Sequence, residues 1–105
     1  MKLTNVQIAF YRQNGYLFVP ELYPKAEIEV VHREVAKLVE ENRDSVIPEH
    51  DGKTVRSVLN AHLYSAVIDR FCRSAHVVEP VMQIVGSPVY IFQSIVNVKR
   101  AFDGQ

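Results

Sequence analysis

The segment that most constrains the fold is VYIFQSIVNVKRAFDGQ, the last seventeen residues (89–105) of the sequence. Its aromatic and β-branched residues predict a β-strand over 88–99. Because alternate residues of a strand share a face, Gln93, Ile95 and Asn97 are predicted on one side of it. Both sides are mainly apolar, so the sequence predicts a central strand that is covered on both faces.

Two amides in so apolar a strand need an explanation. Gln93 and Asn97 would lie about 13 Å apart at roughly 3.3 Å per residue. Buried amides are stable only when their donors and acceptors find partners. With Lys99 on the same face, they would line a pocket for a polar ligand such as a dicarboxylate. The other interpretation, which the residues alone favour, is that the amides cap the solvated end of the strand or bond neighbouring backbone.

The first half of the chain carries clear helix signals. Thr4 and Gln7 have capping-box spacing at the start of a first helix, and Gly15 is the expected left-handed residue at its end. A second helix is predicted from Pro24 to Asn42–Arg43, because its valines and leucines recur at helical spacing beside a charged face.

Shorter elements are predicted over the rest of the chain. They are a short edge or terminal strand running into a turn over 16–24, a loop over 44–53, a strand or helix over 54–63, and short helices over 65–74 and 77–86. Ser65 is the expected cap of the first short helix, Pro80 is expected in the first turn of the second, and Gly86 is expected at its end. Together these elements predict an α+β protein.

Composition excludes several classes of function. At 105 residues, the sequence (1–105) holds one domain at most. The formal net charge is zero, which disfavours nucleic acid and acidic membranes as partners. No apolar run is long enough to span a bilayer, and the first residues do not read as a signal peptide. The single cysteine, Cys72, fits a reducing cytoplasm, and we expect that location.

The residues alone do not assemble a catalytic or metal site. The four histidines lack zinc-site spacing. His32 is expected in solvent, His50 in a polar loop and His76 in a linker, whereas His62 is either structural or faces a cleft. Cys72 is interpreted as a small core residue. We therefore predict no catalytic residue and no metal ligand in this chain.

Three stretches carry a resemblance to a known family. They are LTNVQIAFYRQNGYLFVPELYPKAEIEVVHREVAKLVEE, TVRSVLNAHLYSAVIDRF and IVGSPVYIFQSIVNVKRAFDG. They are similar to the phytanoyl-CoA dioxygenase family, whose members open with L-T-x-x-Q and N-G-Y-L-x-x-P. The ectoine hydroxylase-like branch continues with an R-S segment, I-L-G-S-x-V-Y and a Q-S-x-x-N-x-K strand. Each motif is loose, but their shared order covers essentially the whole chain.

The resemblance implies a non-haem Fe(II)- and 2-oxoglutarate-dependent oxygenase that hydroxylates a small organic substrate on a double-stranded β-helix (jelly-roll) core. The iron of such enzymes is held by a His-x-Asp…His triad. In the family, that triad begins shortly after the motif that matches Lys99–Gly104. We therefore expect this chain to contain the N-terminal helices and first strands of an incomplete jelly roll. Alone, it is expected to bind no iron or 2-oxoglutarate and to be inactive.

The resemblance also gives roles to the last strand. It implies that Gln93 and Asn97 help to hold 2-oxoglutarate. The residue between them, which contacts substrate, is typically Arg in the ectoine hydroxylase-like branch, whereas here it is Ile95. This departure argues against ectoine as the substrate and for a less acidic or different molecule.

One alternative belongs to a different class of protein: a small non-catalytic α+β module that binds a partner and derives from the same family. The sequence also leaves open the substrate, the oligomeric state, and halogenase instead of hydroxylase chemistry.

Overall fold

The computed structural model describes residues 2–41, 46–48 and 55–98. Its elements, in chain order, are α1 (Asn5–Asn14), α2 (Lys25–Glu40), β1 (Val46–Pro48), β2 (Val55–Leu59), a 3₁₀ turn (Ala61–Leu63), α3 (Ala66–Cys72), α4 (Ala75–Val85) and β3 (Ile95–Asn97). None of the helices in these ranges has both the length and the apolar character needed to cross a membrane. The α+β class is confirmed.

The ends of α1 match their prediction. The Gln7 backbone N–H donates to Thr4 Oγ1 at 3.2 Å, and the Thr4 N–H donates to Gln7 Oε1 at 2.9 Å. Gly15 ends the helix in the left-handed region at φ 82°. Local side-chain chemistry therefore fixes this helix, because the cap satisfies donors that a helix start otherwise leaves open.

The short helices agree with prediction except at the start of α4. Ser65 Oγ accepts from the Ile68 N–H at 3.2 Å and caps α3. Gly86 ends α4 at φ 79°. The prediction that Pro80 lies in the first turn is wrong: α4 begins at Ala75, and the proline lies inside it. Ser74 sets the earlier start, because its hydroxyl accepts from the His76 N–H at 3.3 Å.

The second helix begins directly after Pro24 and ends at Glu40, before the predicted Asn42–Arg43. No strand forms over residues 16–24, so the predicted edge strand is wrong. The turn predicted in this segment does form, at residues 20–21, with Glu21 in the left-handed region at φ 56°. Proline at position 20 supplies no backbone donor for a strand ladder, and this favours the turn.

Three short strands form an antiparallel sheet in the order β1-β2-β3. The first of them lies inside the predicted loop 44–53, which is a correction to that assignment. The ambiguous segment 54–63 becomes a strand followed by the 3₁₀ turn. The sheet is assembled from parts far apart in sequence, with α3 and α4 between its second and third strands.

The core lies between the sheet and helices α2 and α3. Its buried members are Leu38, Val58, Ala61 and Ile68, and the partly buried side chains of Val31, Val35, Val39, Tyr64, Cys72 and Val96 pack against them. Val58 pairs with Val96 in the strand register. Because side chains alternate along strands, the neighbouring pairs point to the opposite side of the sheet.

The last strand differs most from its prediction. Regular pairing is limited to Ile95–Asn97, and β3 is at the edge of the described sheet. The prediction of a central strand covered on both faces is therefore wrong for the described residues. Tyr90 and Phe92 are each 83% exposed, and Ile95 is 49% exposed. The strand is short because β2, its partner, ends at Leu59.

Two contacts distant in sequence fasten the helices. Leu3 is buried, and its N–H donates to Gln83 Oε1 at 2.6 Å while Gln83 Nε2 donates to the Leu3 carbonyl at 3.1 Å. The Tyr23 hydroxyl donates a hydrogen bond to the Phe71 carbonyl at 2.9 Å. The Tyr23 and Phe71 rings also stack, with their centroids 4.3 Å apart. His76 is in α4 rather than in a linker, and its ring meets Tyr23 edge-on at 5.3 Å.

Candidate functional site

The sheet face opposite the core carries the predicted site residues, and we call it the open face. Its paired positions are Ser57 with Asn97 and Leu59 with Ile95, and Ile47 lies beside Ser57 on the next strand. Ile95 and Asn97 are both exposed. The structure therefore brings these two residues to one face, as the alternation in sequence predicts.

Gln93 is the predicted site residue that the regular sheet does not include. It is exposed and precedes the first residue of β3 by two positions. Lys99, predicted on the same face, lies outside the described residues. Within those residues the site is thus narrower than predicted: one amide and one aliphatic side chain on the strand, and a second amide just before it.

Asn97 has a specific partner on the open face. Ser57 Oγ donates to Asn97 Oδ1 at 2.9 Å. Ser57 is buried, although the asparagine is exposed. A hydroxyl held in the middle strand thus reaches an amide on the edge strand. One interpretation of the sequence was that the amides bond neighbouring backbone. The described partner of Asn97 is instead the side chain of Ser57.

The other end of β3 is fastened by Ser94. Its carbonyl accepts from the Asn60 N–H at 2.7 Å, and its N–H donates to Asn60 Oδ1 at 3.2 Å. Its hydroxyl lies 2.6 Å from His62 Nδ1. Asn60 adopts the left-handed conformation at φ 52°, which asparagine tolerates better than most residues. These bonds fix the backbone between Gln93 and Ile95, and the contact with Ser94 gives His62 a structural partner.

At its described positions the open face is mainly aliphatic, with two polar side chains and no charged one. Its side chains at positions 47, 57, 59, 95 and 97 are all neutral. An anionic ligand on this face would therefore be held by hydrogen-bond donors, in the way that amides bind carboxylates. Two clefts of about 320 and 340 Å³ lie elsewhere, one beside Tyr23 and Arg70 and the other beside Cys72 and Tyr90. Neither is lined by Gln93, Ile95 or Asn97.

The other candidate residues remain apart from this face. His32 is exposed on α2, as predicted. His76 Nε2 lies 3.8 Å from Glu27. His50 is outside the described residues. Burial raises the pKa of the Cys72 thiol, with the nearby Asp69 carboxylate adding to the shift. The described part of the chain contains no group of three His, Cys, Asp or Glu side chains placed to hold a metal ion.

Sequence reasoning missed the side chains that support the strand: Ser57 and Asn60. Neither belongs to a local pattern, because each meets its partner across at least 34 residues. The strand register is the signal that identifies Ser57, since it is the position opposite Asn97.

Comparison with known proteins gives a consistent result. The family model described as Phytanoyl-CoA dioxygenase (PhyH) matches residues 11–105. An ectoine dioxygenase of Streptomyces avermitilis is 32% identical over 104 residues, which cover 95% of this chain and 35% of that protein. An L-proline trans-4-hydroxylase of Streptomyces griseoviridis is 28% identical over 94 residues, which cover 90% and 35%.

Solved structures agree on the fold. EctD from S. alaskensis with 2-oxoglutarate and 5-hydroxyectoine superposes with a TM-score of 0.83 at 22% identity, over 90% of this chain and 35% of that one. EctD with bound Fe gives the same TM-score and the same coverage. The chain thus spans about a third of the length of the curated relatives that it matches.

Proposed function

The chain belongs to the phytanoyl-CoA dioxygenase family, and from that premise we propose that it forms the N-terminal helices and first jelly-roll strands of an Fe(II)- and 2-oxoglutarate-dependent oxygenase. The whole protein hydroxylates a small organic molecule. The family match over residues 11–105 carries the proposal. Relatives named for dioxygenase and hydroxylase reactions support it, as does the fold shared with a protein solved with Fe and with 2-oxoglutarate.

We assign 2-oxoglutarate binding to Gln93 and Asn97. An ionised carboxylate can accept hydrogen bonds but cannot donate them, and each side-chain amide offers two donors. In the whole protein, bound iron and 2-oxoglutarate supply the activation of dioxygen that the hydroxylation needs. The described residues contain no group of three His, Cys, Asp or Glu side chains that could hold a metal ion, and the proposal assigns to this chain the binding and orientation of organic ligands.

We assign a substrate contact to Ile95. Its side chain is 49% exposed on the open face and offers an aliphatic surface where a guanidinium would offer charge and donors. A substrate matched to this position is less acidic than one that needs an arginine there. The proposal therefore favours a substrate other than ectoine, and Ile95→Arg is expected to improve the use of ectoine.

Exposed aromatic side chains favour the enzyme over the small binding module. Tyr90 and Phe92 are each 83% exposed beside a small core. Further strands of a jelly roll would cover such side chains, whereas a self-sufficient module of 105 residues would leave them in water. The module predicts cooperative unfolding and a monodisperse 105-residue chain. Aggregation in gel filtration would support the proposal.

We also propose a cytoplasmic location. Cys72 is a free thiol that packs partly against the core, and free thiols persist in reducing compartments. Its oxidation state in extracts prepared with an alkylating agent tests this part.

The DNA downstream of codon 105 tests the main proposal. We expect the reading frame to continue with a Trp-His-x-Asp segment within a few codons, and we expect the encoded protein to release succinate from 2-oxoglutarate when iron is present. Asn97→Ala should raise the KM for 2-oxoglutarate. The matched control Asn14→Ala, at an exposed residue of α1, should leave the KM for 2-oxoglutarate unchanged.

Two results would contradict the proposal. One is a stop codon with no continuing frame that encodes iron ligands. The other is iron-dependent succinate release by the 105-residue chain alone, since that would place a complete site within residues assigned only to ligand positioning.

A further inference from the structure

Ser57 is the one buried polar residue on the open face among the described residues. Only 8% of its surface is exposed. It lies opposite Asn97 in the strand register, and its hydroxyl donates to Asn97 Oδ1 at 2.9 Å. Its neighbour Val58 is fully buried in the core. The serine is therefore held firmly, whereas the amide it contacts is exposed.

The bond matters because an asparagine amide has two different ends. Oδ1 accepts hydrogen bonds and Nδ2 carries two donors, and a rotation of 180° exchanges them. When the Ser57 hydroxyl engages Oδ1, Nδ2 lies on the side away from Ser57. An ionised carboxylate needs donors, and an amide turned the other way would oppose it with an acceptor.

We propose that Ser57 is a positioning residue that holds the Asn97 amide with its Nδ2 donors directed to a carboxylate oxygen of a 2-oxo acid. This assignment rests on the proposed function, because the ligand class comes from it. Fixing the amide in advance strengthens binding, since the ligand does not have to select one of two amide orientations. A hydroxyl is needed at position 57, so alanine there should leave the Asn97 amide unoriented, whereas threonine should still orient it.

The amide orientation can be measured without any ligand. In the ¹⁵N-labelled whole protein, the Asn97 Nδ2 resonances are assigned by their loss in Asn97→Asp. We expect weak or absent nuclear Overhauser effects between these protons and the Ser57 β protons. Strong effects would show that Nδ2, rather than Oδ1, faces Ser57, and this would overturn the proposal even if no variant at position 57 folded.

The variants test the consequence for binding. In Ser57→Ala, the two Asn97 Nδ2 resonances should move toward those of solvent-exposed asparagine. The dissociation constant of the whole protein for 2-oxoglutarate, measured from these shifts, should rise about fivefold, as expected from one net hydrogen bond. Ser57→Thr should return both the Asn97 Nδ2 resonances and the dissociation constant to the values of the unmodified protein. Ser87→Ala, at an exposed serine, is the matched control and should change neither.

Failure of the proposed function and failure of the Ser57 proposal give different results. If 2-oxoglutarate moves no Asn97 resonance in the unmodified whole protein, the proposed co-substrate role of Asn97 is wrong, and the ligand-free measurement still decides what Ser57 does. If 2-oxoglutarate shifts Asn97 but Ser57→Ala changes neither the resonances nor the dissociation constant, Ser57 is not a positioning residue and the proposed function stands.

Discussion

The two hydrogen bonds between the Leu3 backbone and the Gln83 side chain on α4 lead to a quantitative prediction for Gln83→Ala. The substitution removes the acceptor for the Leu3 N–H at 2.6 Å and the donor to its carbonyl at 3.1 Å. A typical intramolecular hydrogen bond contributes about 1 kcal/mol net. The loss of both should lower the free energy of unfolding by about 2 kcal/mol. Leu3 is only 5% exposed, so water does not readily replace the lost partners.

The assay is urea unfolding followed by circular dichroism. For the whole protein, a slope of about 3 kcal/mol per molar urea makes the expected fall of the midpoint roughly 0.7 M. Gln13→Ala is the matched control, because Gln13 is exposed on α1 and the same atoms are removed. Hydrogen exchange at the Leu3 amide should accelerate in Gln83→Ala alone. Equal midpoints for the two variants and unchanged exchange at Leu3 would refute the reasoning.

Three more predictions concern stability and reactivity. Thr4→Ala should cost about 1 kcal/mol of unfolding free energy by removing the capping box, while Thr4→Ser should cost little, and equal urea midpoints for the two would contradict this. Leu38→Ala should cost about 2–5 kcal/mol in the same assay, against under about 1 kcal/mol for the partly exposed Val30→Ala on the same helix. Burial raises the pKa of the Cys72 thiol above its ordinary value of 9.0, so its contribution to stability is present below that pH and is lost as the pH rises through the folded-state pKa. Iodoacetamide should accordingly label Cys72 more slowly at pH 8 than it labels the urea-unfolded chain, and equal rates would count against a shifted pKa.

Local signals were sufficient for four of the helix ends. Thr4 and Ser65 cap helices as predicted, because a capping hydroxyl satisfies neighbouring backbone donors whatever the rest of the chain does. Gly15 and Gly86 adopt the left-handed conformation for the same local reason. These features depend on a few consecutive residues, which the sequence displays directly.

The sheet could be predicted only in part. Alternation correctly placed Ile95 and Asn97 on one face, but the extent of the strand depends on a partner that ends at Leu59. The apolar pattern of residues 88–94 does not report whether a neighbouring strand reaches them. For the same reason the roles of Ser57 and Asn60 were not apparent, since each acquires its meaning from a residue distant in the chain.

The order of the strands has a consequence for synthesis of the chain. Asn97 leaves the ribosome 40 residues after its partner Ser57, which corresponds to about 2–8 s at roughly 5–20 residues per second. During that interval the middle strand lacks one neighbour while α3 and α4 are being made. A strand edge left open beside Val58 can pair with another nascent chain. Slow translation between codons 60 and 95 would therefore be expected to increase aggregation of this protein more than slow translation before codon 55.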